Sequence, residues 1–143
     1  MGTLLTLAKG DTGPLTVTVS HTTMGATGLT PYLTANGGRL WFYGKYDVSD
    51  PDALTNGTTS GAVFTKTEAS GAIVVTTAGN NTTTDGVVTI TLQPADTTII
   101  PVDTPITLYC SLKGATADSP NLEYTIVKDV LLNIGAQATS KVS

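Results

Sequence analysis

From Leu15 to Val19 the chain reads Leu-Thr-Val-Thr-Val, a strict alternation of apolar and hydroxyl side chains. Successive side chains of an extended strand point to opposite faces, so this segment offers one apolar face and one polar face. The same period returns in Val88-Thr89-Ile90-Thr91-Leu92 and across Ile106, Leu108, Cys110 and Leu112, which alternate with Thr107, Tyr109, Ser111 and Lys113. A helix-length apolar repeat of 3.6 residues is absent. Thr supplies about one residue in five, and its branched Cβ restricts χ1 in a way that suits a pleated strand. These features specify an all-β chain.

Further strands are expected at Arg39–Tyr46, Ala62–Lys66 and Ala72–Thr76, and a longer one at Leu122–Ile134. Gly71 and Asp85-Gly86 supply turn signals between them. The apolar phase of Leu122–Ile134 slips near Lys128-Asp129, as a β-bulge or a bend would require. Pro94-Ala95-Asp96-Thr97 reads as a turn or one short helical turn. Seven or so evenly spaced strands predict an Ig-like antiparallel β-sandwich, without the Cys…Trp…Cys arrangement of antibody domains. At 143 residues the chain is expected to form one domain, with a possible N-terminal arm at 1–8 and a flexible tail at 135–143. Loops are expected at 47–61 and 79–85.

Charged residues make up 13% of the chain and the net charge is −4. Seven scattered Lys and Arg do not build the basic patch that phosphate binding needs, so no nucleic-acid partner is expected. The N-terminus has neither a basic n-region nor a long apolar run, so it does not read as a signal peptide. No segment has the length of a membrane-spanning helix, and no membrane partner is expected.

Candidates for chemistry are few. His21 is the single histidine; beside Thr22 and Thr23 it is either half of a hydroxyl–imidazole pair or, more plainly, a loop-edge ring making a hydrogen bond. Cys110 falls on the apolar phase of its strand, where a thiol is a small core residue rather than a nucleophile. Asp47, Asp50 and Asp52 form a run that alternate oxygen ligands to calcium would resemble, but without the Gly and distal Glu of an EF-hand loop. Asp-Pro and Ser-Asp start turns without metal. No cofactor and no catalytic constellation is assigned. Trp41, Tyr43 and Tyr46 form either an aromatic platform for a sugar or partner, or part of a core or subunit contact.

Leu7-Ala8-Lys9-Gly10-Asp11-Thr12-Gly13-Pro14-Leu15 resembles the start of phage baseplate upper protein N-terminal (BppU-like) domains. Leu40-Trp41-Phe42-Tyr43 is similar to their second strand, and Val48–Ala53 with Val63–Thr67 to the stretch that follows. Gly86–Ile90 and Pro94–Thr97 are similar to segments of small virion proteins of tailed phages. The resemblance implies a non-enzymatic virion component, made in the bacterial host cytoplasm and docking onto capsid or tail proteins. It implies a homo-oligomer within a symmetric particle, either a head decoration (cement) or a tail or baseplate part. Leu4, Leu5 and Leu7 are then the residues expected to reach a partner by strand addition. An adhesion module that binds a receptor or glycan through Trp41, Tyr43 and Tyr46 is the alternative.

Overall fold

The computed structural model describes residues 3–8, 12–45, 62–98 and 106–135. Its elements are β1 (Thr3–Ala8), β2 (Gly13–Val19), β3 (Arg39–Lys45), β4 (Ala62–Thr67), β5 (Ile73–Thr77), β6 (Gly86–Leu92), α1 (Pro94–Thr98), β7 (Ile106–Thr116) and β8 (Ser119–Gly135). Three short 3-10 turns, at His21–Thr23, Thr30–Tyr32 and Thr34–Asn36, join β2 to β3. The chain is all-β, with α1 as the single short helical turn expected around Pro94.

The strands form two sheets. One has five strands in the order β1-β8-β7-β3-β4, and the other three in the order β2-β6-β5. All pairings are antiparallel except β1 with β8, which run parallel in register from Thr3 opposite Val130 to Ala8 opposite Gly135. Eight strands are therefore described rather than seven. The additional one is β1, within the possible arm at 1–8: the backbone of Thr3–Ala8 is committed along β8 of the same chain. The tail beyond Gly135 and the 47–61 loop lie outside the described residues.

One apolar core lies between the sheets. Leu15, Val17 and Val19 of β2 and Val88, Ile90 and Leu92 of β6 meet Leu40, Phe42, Leu108, Leu112, Val130 and Leu132 of the larger sheet. Each such side chain contributes about 1.5–3 kcal/mol when fully buried. Phe42 and Phe64 pack with ring centroids 6.0 Å apart. Gly44 makes that packing possible, because a Cβ there would sit 2.9 Å from the Phe64 ring and 3.1 Å from Cys110 Sγ.

Two local features follow the sequence closely. β8 carries an extra residue between Val127, opposite Leu112, and Val130, opposite Cys110, so the bulge falls at Lys128-Asp129. α1 opens with Asp96 accepting from the Gln93 N–H at 2.7 Å while the Asp96 N–H donates to the Gln93 carbonyl at 2.9 Å. Lys66 of β4 then pairs with the same carboxylate at 2.7 Å, fastening α1 to the edge of the sheet. The turn before β6, however, is not at Asp85-Gly86. It is made at Gly79, with φ of +78°, and at Asn80, whose Oδ1 accepts from the N–H groups of Thr82, Thr83 and Thr84.

Candidate functional site

β3 sends alternate side chains to opposite faces of the five-stranded sheet, and both faces are covered. Leu40 and Phe42 enter the main core, while Trp41, Tyr43 and Ala115 form a second buried cluster. Trp41 and Tyr43 are each 1% exposed. Of the two readings of these rings the structure gives the core one: neither presents a face to a ligand. Register explains which residues share their surroundings. Tyr43 lies opposite Thr65 of β4 and Ser111 of β7, and Trp41 opposite Thr67 and Lys113. Cross-strand partners share a face of the sheet. Lys113 Nζ and Lys45 Nζ stand 5.9 and 6.0 Å from the Tyr43 ring centroid, at the outer limit for a cation–π contact. Trp41 Nε1 and Thr65 Oγ1 are buried on this side without a hydrogen-bond partner. Leaving such groups unmade costs about 1–3 kcal/mol each.

Leu5 and Leu7 are half-buried and pack against the main core, which is where strand pairing with β8 directs them. Leu4 lies on the same strand, opposite Leu131, and its side chain is outside the described residues. Tyr46, Asp47, Asp50 and Asp52 also lie outside them. Among the described residues no three His, Cys, Asp or Glu side chains converge as metal ligands.

The second candidate sits at the end of the small sheet. Val19 of β2 lies opposite Gly86 of β6, so the residues just beyond them meet. Asp85 Oδ1 accepts from the His21 backbone N–H at 2.8 Å and lies 2.7 Å from His21 Nδ1. A carboxylate only accepts, so Nδ1 carries the proton and donates. The ring bond first, and the backbone bond second, hold the Asp85 carboxyl below the usual carboxylate range. Sequence reading missed Asp85 as the partner of His21, since 64 residues separate them; the signal was the matched Thr-Val alternation of β2 and β6, which makes them natural neighbours.

The hydroxyls around this pair are engaged locally. Ser20 Oγ and Thr22 Oγ1 are 2.8 Å apart, and Thr23 Oγ1 donates to the Ser20 carbonyl at 2.9 Å. The arrangement orients an imidazole and stitches the first 3-10 turn to the β6 start. Cys110 is buried in the main core, and that burial pushes its thiol pKa up, away from nucleophilic thiolate. No helix is long and apolar enough to cross a membrane among the described residues. No protein-family model, curated protein or solved structure matches the chain.

Proposed function

We propose that the chain is a non-enzymatic structural component of a tailed-phage virion, docking onto capsid or tail proteins as a head decoration or a tail or baseplate part. The observation that carries this reading is the BppU-like resemblance of three segments. In the fold these fall on consecutive pieces of one scaffold: Leu7–Leu15 on the end of β1 and the start of β2, Leu40–Tyr43 on β3, and Val63–Thr67 on β4.

Strand neighbours support the finer reading of the fold as an Ig-like β-sandwich. An Ig domain places its second, fifth and fourth strands together and its third, sixth and seventh together, with an added strand beside the third in variable-type domains. With β1 taken as the first strand, moved to the edge of the last, β2-β6-β5 and β4-β3-β7-β8 follow that order. A sandwich of this kind is a scaffold used for many purposes, so the role rests on the resemblance rather than on the architecture.

Trp41 and Tyr43 do not support the glycan-binding alternative, because both are inside. Mass spectrometry and cryo-EM of purified native particles test the proposal. The chain should copurify at fixed stoichiometry and occupy repeated density on head or tail. Its absence from particles that are otherwise complete sinks the proposal.

A further inference from the structure

Edges of a β-sheet carry unpaired backbone groups, and proteins blunt them with charge, proline or cover. The described edges differ in this respect. β2 carries Pro14, and β4 carries Lys66 and lies against α1. β5 carries neither charge nor proline; it is short, and its ladder is interrupted after Val75. It pairs with β6 alone, and from Ala69 to Thr84 the sequence holds no charged residue. Val74, its second residue, is 52% exposed, the most exposed large apolar side chain among the described residues.

Register fixes what this edge offers. The Thr91 N–H donates to the Ala72 carbonyl at 2.9 Å, so the hydrogen-bonded pairs with β6 fall at Ala72 and Val74. Ile73 and Val75 therefore aim their N–H and C=O groups at the open side. A register shift between Val75 and Thr77 ends the regular ladder, which leaves a short donor–acceptor row.

We propose that the β5 edge is a homotypic docking surface, on which β5 of a second copy of this chain adds antiparallel across a two-fold axis. Ile73 then pairs with Val75 of the second copy, and Val74 lies directly opposite Val74 of the second copy. That pairing completes the open backbone groups and covers the exposed valine in one step. A second copy fits better than a charged partner strand because of the charge distribution. The chain is net −4, so two copies meet at least cost where neither brings charge, and β5 is such a place. An isologous contact also demands a self-complementary surface, which an uncharged antiparallel edge provides. The row is short, so the two copies associate weakly. The inference stands on the sheet alone and does not depend on the virion reading.

Equilibrium sedimentation of the full chain across a range of concentrations tests it, beside three variants. The wild type should move with concentration from 14.6 kDa towards twice that mass. Val74→Lys places like charges opposite each other and should weaken the dimer at least about tenfold. Under mild oxidation in dilute solution, Val74→Cys should give a disulfide-linked dimer while Thr16→Cys, exposed on the opposite edge strand, stays monomeric. A wild type that remains monomeric at every concentration overturns the inference. So does a dimer that Val74→Lys leaves intact, or equal cross-linking of the two cysteine variants. Should Val74→Lys unfold, the cysteine pair decides.

Discussion

The two sheets share a core but are chemically different objects. The charged residues of the described strands lie in the five-stranded sheet: Arg39 and Lys45 in β3, Lys66 in β4, Lys113 in β7, and Glu123, Lys128 and Asp129 in β8. The three-stranded sheet has none. Its outer side is a grid in which Pro14 faces Thr91, Thr16 faces Thr89, and Thr89 faces Val74. The larger sheet is also covered on both sides at β3, whereas the smaller is covered on one. The lesson is that one alternation can serve two architectures. Apolar–threonine alternation builds a one-sided sheet, and apolar–aromatic alternation builds a strand with two interiors.

The sharpest way to break this contrast is to empty each side of β3 in turn. Phe42→Ala and Trp41→Ala should each cost about 3–5 kcal/mol in chemical denaturation, since both remove a large buried side chain. A loss below about 1 kcal/mol for Trp41→Ala would make the second cluster peripheral and remove the distinction between the sheets. Trp41→Phe should cost much less than Trp41→Ala, because it keeps most of the ring and deletes a buried N–H that has no partner.

Gly28→Ala probes the junction between the small sheet and the 3-10 segment. Gly28 has φ of +61°, and a Cβ there would meet the Ala78 carbonyl oxygen at 2.2 Å. That same oxygen accepts from the Leu29 N–H at 2.9 Å, so it cannot move away freely. A loss of at least about 2 kcal/mol is expected. Asp96→Ala should cost about 1–3 kcal/mol, through the Gln93 cap and the Lys66 pair together. Both are read from the denaturation midpoint at constant m-value.

The smallest effect belongs to the exposed His21–Asp85 pair, and its sign is set by the depressed carboxyl. A group whose pKa is lower in the folded state binds protons more weakly there than when unfolded. Its stabilisation is complete above the ordinary Asp pKa and disappears as pH falls through the depressed folded value. Asp85→Asn should therefore lower the melting temperature slightly at neutral pH, and the gap to wild type should close in acid. A gap that persists unchanged at low pH would assign the effect to turn geometry instead of charge.

How much of this was legible depends on whether the information was local. β2 and β6 could be read from their own alternation, and the β8 bulge from a slip of phase at Lys128-Asp129. β1 was readable as apolar but not as paired, because its partner is at the far end of the sequence. The alternation of β3 separated Trp41 and Tyr43 from Leu40 and Phe42, yet it carries no information about what covers the second face. Residues 20–38 have neither period, so three 3-10 turns there went unread. The bond from His21 to Asp85 depended on a strand pairing, which no short window contains.

The parallel pairing of β1 with β8 also has a meaning for synthesis. Thr3 waits for Val130, a partner made 127 residues later, and Ala8 for Gly135. Synthesis runs from the N-terminus, and this edge cannot close until the last described strand has emerged. Until then the apolar side of β1 stands open, a long-range closure of the kind that slows all-β folding. The two ends of the described chain thus act as a clasp, and the clasp is fastened last.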